Sequence, residues 1–393
     1  MKSEWKRCAL GQICTMKYGK MPDKHDLVEA GYPIFTGYLI AGYHRRFIVE
    51  DSEIIIVARG VGGAGDVKLS PPFCWITNIS IILQIVDNDI DKMFLYYRLK
   101  CTTLRSLRTG AAQPQIIIAD LEKYIIDVPP LPTQRRIAAI LSAYDDLIEN
   151  NTRRIKILEE MAQALYREWF VHFRFPGHEK VQMVDSPLGR IPEGWQIEKL
   201  GNIADINAVS LKNGYSPEEI HYVDISSVST GQIDKIEHIP LSEAPSRARR
   251  IVRHGDVIWS TVRPNRRSYS LIINSPPNLV VSTGFAVISS RHAPYTYIYQ
   301  ALTTDDFVSY LTNHATGAAY PAVNAHDFEE ADILLPHKDL MDLFHLITED
   351  FMALKCDLVE KNANLRFARD LLLPKLINDR IIVNEIFLSE EKN

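Results

Sequence analysis

The run Pro129-Pro130-Leu131-Pro132-Thr133-Gln134-Arg135-Arg136-Ile137-Ala138-Ala139-Ile140-Leu141 opens a stretch that reaches Phe175, and no proline or glycine occurs between Pro132 and Pro176. Apolar side chains recur there by alternating steps of four and three: Ile137, Leu141, Tyr144, Ile148, then Asn151, then Ile155, Leu158, Ala162, Leu165 and Trp169. A sustained heptad of this kind predicts a helix packed along another helix for its whole length. Thr133 is placed to cap it, with Pro132 before it and Pro176 closing the far end. At about 1.5 Å per residue the rod is roughly 57 Å long, the length of a spacer.

A second rod is predicted from Asp339 to Leu373, with Leu340, Phe344, Ile347, Phe351, Leu354, Leu358, Lys361, Leu365, Ala368 and Leu372 on its seam. Pro374 is expected to end or kink it. Two long seams in one chain most economically cover each other.

Taken in order, the chain repeats itself. Trp5-x-x-x-x-Leu10-Gly11 returns as Trp195-x-x-x-x-Leu200-Gly201, and Glu53 to Arg59 is echoed by Asp256 to Arg263. Thr109-Gly110-Ala111-Ala112-Gln113-Pro114 returns as Thr316-Gly317-Ala318-Ala319-Tyr320-Pro321, and Asp146-Leu147-Ile148-Glu149 as Asp357-Leu358-Val359-Glu360. Four matches in one order define two copies of a unit, each a globular domain followed by a long helix. The expected boundaries are 1–131 for the first domain, 132–175 for the central helix, 176–336 for a linker and second domain, and 337–393 for the C-terminal helix and tail. The linker is expected over 174–194, and helices within the domains over Lys92 to Leu107 and Tyr297 to Asn313. The fold class is α/β in the broad sense (α+β). The two long helices form an antiparallel coiled coil, and the domains at its opposite ends are related by a pseudo-two-fold internal repeat. Paired surfaces at a fixed separation suit a ligand that repeats along an axis, of which DNA is the obvious one.

Composition describes an ordinary soluble protein: 393 residues, 46% hydrophobic, 24% charged, mean hydropathy −0.10. No signal-peptide pattern and no apolar run of membrane-spanning length are present, so a cytoplasmic protein without a membrane role is expected. Five cysteines without a C-x-x-C pair read as buried or incidental thiols, not disulfides or a zinc site. The net charge of −5 does not mark a nucleic-acid binder, so local charge has to be weighed.

Basic residues gather in the globular halves. Arg247, Arg249, Arg250, Arg253, Arg263, Arg266 and Arg267 lie close together with Asp256 the one acid among them; Lys17, Lys20, Lys24, Arg45, Arg46, Arg59 and Lys68 cluster more loosely near Tyr18, Tyr32, Tyr38 and Tyr43. Arginine forks suit phosphates and guanine edges, and Asn265, Gln113 and Gln115 suit adenine. Arg45, Arg46, Arg59, Lys68, Gln113, Gln115, Arg247, Arg249, Arg250, Arg263, Asn265, Arg266 and Arg267 are therefore the candidate DNA-binding residues.

Catalytic patterns do not hold up. Gly60-Val61-Gly62-Gly63-Ala64-Gly65 fits G-x-G-x-x-G, but it runs through Asp66 to Leu69 into Pro71-Pro72, where no helix can follow to hold an anion; a tight turn is expected. Ser70-Pro71-Pro72-Phe73 resembles the tetrapeptide that holds the target amine in amino-methyltransferases. It stands almost against the glycine loop here instead of several β–α units away, and the second half has only Ser275-Pro276-Pro277-Asn278. Asp51 with Asp66-x-Lys68 meets a nuclease pattern short enough to arise by accident. No catalytic or metal-binding residue is assigned.

Several motifs together resemble the specificity (S) subunits of type I restriction–modification systems. They are Pro129-Pro130-Leu131-Pro132-Thr133-Gln134-Arg135-Arg136-Ile137, Leu147-Ile148-Glu149-Asn150-Asn151, Leu158-Glu159-Glu160-Met161, Asp370-Leu371-Leu372-Leu373-Pro374-Lys375, Ser260-Thr261-Val262-Arg263-Pro264-Asn265 and Ser282-Thr283-Gly284-Phe285. One departure is that the second rod begins His337-Lys338-Asp339-Leu340 and lacks the P-x-x-Q-R-R opening of the first.

The resemblance implies that each globular half is a target recognition domain for one part of a split site in double-stranded DNA. The coiled coil then sets the gap and docks two modification (M) subunits, through Gln134, Arg135, Arg136, Glu149, Asn151 and Glu160. It implies further that the chain is not an enzyme and holds no cofactor. S-adenosylmethionine belongs to M subunits that methylate adenine N6; ATP and magnesium belong to restriction (R) subunits that translocate and cleave. The rival readings are a stand-alone amino-methyltransferase using Ser70-Pro71-Pro72-Phe73, and a two-headed scaffold with no DNA role.

Overall fold

A computed structural model describes residues 5–60, 63–110, 114–211 and 217–378. The chain divides into two compact units, Met1–Asn150 with Asn362–Asn393, and Asn151–Lys361. The division cuts both long helices instead of separating them from the domains. Each unit thus holds one globular domain and part of each helix.

The first unit is built on the strand Ile54–Val57, four β-branched residues that are all fully buried. Side chains alternate along a strand, and here both faces are covered. Ile54 and Ile56 enter a core with Ile81, Leu83, Phe94, Tyr97 and Ile137, while Ile55 enters a smaller one with Ile82, Ile76 and Val49. Its antiparallel sheet has the order Cys14–Tyr18, Ser80–Ile85, Ile54–Val57, Val67–Leu69. A second sheet orders Leu27–Val28, Ile40–His44, Tyr32–Phe35 and Trp75–Ile76, the last pair parallel. The second unit repeats the plan around Val257–Ser260. Val257 and Trp259 face the larger core and Ile258 the smaller, and the sheet orders Ala204–Ile206, Phe285–Ser290, Val257–Ser260, Tyr269–Leu271.

The glycine turns repeat to the bond. Thr109 and Gln115 exchange both backbone hydrogen bonds at 2.9 Å, and Thr316 and Ala322 do the same at 2.9 Å. One echo shifts, however. Arg59 bridges Gln115 as Val262 bridges Ala322, and Gly60 N–H donates to the Pro114 carbonyl as Arg263 N–H donates to that of Pro321. Arg263 therefore stands at the place of Gly60, one step beyond that of Arg59.

Three expectations within the domains and the linker need correction. The helix expected over 92–107 is Lys92–Cys101 followed by a separate turn Leu104–Leu107, because the Thr102 hydroxyl folds back onto the Arg98 carbonyl at 2.6 Å. The helix expected over 297–313 is two, Tyr295–Leu302 and Asp305–His314, because Thr304 caps the second through Phe307 N–H. The expected linker contains a hairpin, Met183–Ser186 with Gly189–Pro192, whose Ile191 joins the second unit's core beside Trp195. Trp195 in turn packs against Phe170, Phe173 and Phe175.

The long helices are also redrawn at their ends. The first spans Leu131–Tyr166 and continues as a π-turn, Arg167–Val171, so Thr133 lies inside its first turn and is not its cap. The second spans Lys338–Ile377 with Pro374 inside it; Leu373, Leu376 and Ile377 are buried in the first unit's core, which carries the helix past the proline. In each unit the two helices run antiparallel. Asp145 meets Arg369 and the Ile148 carbonyl meets Asn362 in the first unit, and Glu159 meets Lys355 in the second. The second seam passes through Met341, Phe344, Thr348, Met352, Leu358 and buried Asn362, not through exposed Leu354 and Lys361. Among the described residues no helix is long and apolar enough to cross a membrane.

Candidate nucleic-acid interface

In the second unit the basic residues lie on three pieces of structure. Arg247, Arg249 and Arg250 belong to or adjoin Ala248–Ile251, an edge strand of the sheet Glu237–Pro240, Glu219–Val223, Leu279–Ser282, Ala248–Ile251. Residues 209–211 cover the outer side of that strand, Leu211 N–H donating to the Arg249 carbonyl at 2.7 Å and Ile251 N–H to the Val209 carbonyl at 3.1 Å, so what it offers a ligand is the exposed side chains of Arg247 and Arg249 and not a free backbone edge. Among the described residues Arg247, Arg249, Arg250 and Arg266 have no carboxylate within ion-pair distance. Arg250 is half-buried, its Nη1 has no hydrogen-bond partner, and burial lowers its pKa. A desolvated guanidinium without a carboxylate is costly. Asp256 does not neutralise the cluster. It is buried, accepts from Arg253 N–H at 2.7 Å, and burial pushes its carboxyl up.

The second piece is the turn after Val257–Ser260. Arg263 and Arg267, both left-handed, flank the single turn Pro264–Arg266, which exposes Asn265 and Arg266. Arg267 is not free, since its Nη2 pairs with Asp305 and that hydrogen bond holds the Asp305 carboxyl below its usual range. The third piece is the glycine turn. Arg263 lies over the Tyr320 ring at 4.6 Å and donates from Nη2 to the Ala319 carbonyl at 3.1 Å. Tyr320 is 68% exposed, and the sequence reading passes over it. Its place in the repeated turn, beside an arginine motif, is the signal that points to it.

In the first unit Arg45, Arg46, Arg59, Lys68 and Gln115 are exposed. Lys68 lies on the edge strand Val67–Leu69 and Gln115 pairs with Arg59 through the backbone. Gln113 lies outside the described residues. Next to Arg46 in the chain, Phe47 belongs to a set of exposed aromatic rings: Tyr32 meets Phe47 at 4.9 Å, and Phe47 meets Phe73 at 5.4 Å.

The catalytic look-alikes are used up internally. Ser70 is buried; its hydroxyl accepts from Glu53 N–H at 2.9 Å and its carbonyl accepts from Ser52 Oγ at 2.6 Å. Both groups that would grip an amine are therefore occupied. The glycine loop leads into the strand Val67–Leu69 and opens no helix. A Cβ on Gly63 would sit 1.1 Å from the Tyr38 hydroxyl, so the residue must be glycine for the ring to lie across the backbone. Asp66 pairs with Arg105 at 3.4 Å.

The residues expected to dock M subunits divide. Gln134 is buried and spent: Oε1 accepts from Asp91 N–H at 2.9 Å, and Nε2 donates to the carbonyls of Asp89 at 2.8 Å and Pro129 at 2.9 Å. It ties the helix start to the domain and offers nothing to a partner. Arg135, Arg136, Glu149 and Glu160 are exposed, Glu160 beside Lys156 at 3.6 Å, and Asn151 is half-buried. Exposed apolar residues accompany them, Leu147, Phe367 and Leu371 in the first unit and Ile157, Met161 and Leu346 in the second.

Comparison with known proteins agrees with this architecture. The family described as the type I restriction modification DNA specificity domain matches residues 2–160. A type I restriction enzyme specificity subunit of Methanocaldococcus jannaschii, MjaIX, is 24% identical over 307 residues, which are 75% of this chain and 70% of that one. A Mycoplasma pneumoniae protein described as the C-terminus of a putative type I specificity subunit is 31% identical over 119 residues, 29% of this chain and 79% of that one. The crystal structure of a type I restriction–modification S subunit from M. genitalium shares the fold at TM-score 0.61 and 19% identity, covering 95% of this chain and 96% of that one.

Proposed function

The chain belongs to the specificity subunits of type I restriction–modification systems, and from that premise we propose that it reads a bipartite DNA site, one half-site per globular domain. The paired helices set the gap between half-sites and dock two M subunits, which bring S-adenosylmethionine and methylate adenine. R subunits bring ATP and magnesium. The chain contributes sequence readout and no bond-making chemistry.

The observation that carries this reading is the unpaired cationic face of the second domain. In a chain of net charge −5, Arg247, Arg249, Arg250 and Arg266 all stand without a carboxylate within ion-pair distance among the described residues. Such a face gains most from a polyanion, through release of condensed counterions. In the chain–M complex, Arg250→Ala should weaken binding across all sequences and lower the salt slope by about one. Arg266→Ala, if it contacts a base, should relax discrimination at one half-site by about 1–3 kcal/mol. Unchanged affinity and salt slope for both variants would sink the assignment of this face.

A further inference from the structure

Arg263 is held where an L-residue is least at ease. Its φ of 52° and ψ of 62° are left-handed, and it precedes Pro264, which drives a preceding residue towards extended backbone. The repeat supplies an internal control. The equivalent position in the first domain is Gly60, at φ 134°, where positive φ costs little. The second domain thus carries a strained arginine at a place the same fold fills with glycine.

What the strain supports is a fixed arrangement. Arg263 N–H donates to the Pro321 carbonyl at 2.7 Å, its guanidinium donates to the Ala319 carbonyl, and its Cζ lies over the Tyr320 ring. The ring nevertheless remains 68% exposed. Inside the unit this arrangement gains little, since an immobilised ring in water loses entropy without burying its area. The gain must come from a ligand that covers a planar ring beside a guanidinium.

We propose, resting on the DNA-reading assignment above, that Tyr320 backed by Arg263 is a stacking platform for a nucleobase at a locally opened step of the second half-site. Aromatic rings stack on bases of any sequence. Selectivity arises because some steps unstack more easily than others, so the pair reads deformability.

The test uses the chain–M complex and duplexes carrying its own methylated site, with 2-aminopurine moved stepwise through the second half-site. Wild type should brighten the probe where it replaces the base that loses its stacking neighbour at the opened step, a position besides the target adenine, which a methyltransferase flips out itself. Tyr320→Ala should abolish that signal, keep the one at the target, and weaken binding about ten-fold. Tyr320→Phe should keep it. Arg263→Gly should melt no lower than wild type yet lose the signal. A wild-type complex with no second bright position, or a Tyr320→Ala complex that keeps it, overturns the proposal. Failure of wild type to prefer its site over a scrambled duplex would instead overturn the DNA-reading assignment.

Discussion

Gln134 illustrates how a residue can be recognised in sequence and given the wrong task. It lies three residues before Ile137, on the seam side of its helix, so periodicity marks it as inward-facing, whereas the family resemblance implies a docking role for it. Buried, it satisfies one N–H and two carbonyls at the joint between domain and helix. Gln134→Ala should lower stability by about 1–3 kcal/mol, because the groups left behind lose their partners without reaching water. A denaturant titration would show it, and an unchanged midpoint would remove Gln134 from the joint. Ser70 makes the converse case. The tetrapeptide is visible in the sequence and its spacing argues against catalysis, but only coordinates show its hydroxyl and carbonyl already engaged. Ser70→Ala should leave methylation by the assembled complex intact. Calorimetric binding of S-adenosylmethionine to the purified chain, lost on Ser70→Ala, would favour the rival amino-methyltransferase.

Heptads make both helices and their antiparallel pairing legible without coordinates. They do not show what fixes each domain on its helices. In the first unit Asp145 accepts from Tyr97 Oη at 2.7 Å and from Arg369 Nη1 at 2.5 Å. In the second, Lys355 Nζ contacts Glu159 at 2.5 Å and donates to the Gly231 carbonyl at 2.7 Å. Each hub ties one globular domain to both helices, with partners 48 to 224 residues apart in the chain, a separation no local pattern encodes. Asp145→Ala strands a half-buried arginine and a buried tyrosine and should cost about 3 kcal/mol. A double-mutant cycle with Arg369→Gln should return a coupling of about 1 kcal/mol, and strict additivity would mean the pair is incidental. Helix ends are less legible for physical reasons. Thr102 and Thr304 break their helices through side-chain hydrogen bonds, whereas Pro374 fails to break one because the residues after it are buried.

For the whole molecule, the repeat locates a difference between its copies. The glycine turns, the strands Ile125–Val128 and Asp332–Leu335, and the starts of the two long helices are all 207 residues apart, whereas Asp146 and Asp357 are 211 apart. The second copy's four extra residues therefore lie inside its helix, before Asp357. Four residues add about 6 Å of rise and roughly 40° of rotation, which nearly preserves the apolar face. A helix pair that absorbs such a step can serve as the ruler of the DNA site. The measurement that tests this most directly is the map of methylated adenines, by long-read sequencing, for wild type and for a variant with four residues inserted near Ser142. DNA rises about 3.4 Å per base pair, so the same two half-sites should reappear with a gap one or two base pairs longer. The same half-sites at the old spacing would refute the ruler, and altered half-site sequences would refute the division of labour between domains that read and helices that measure.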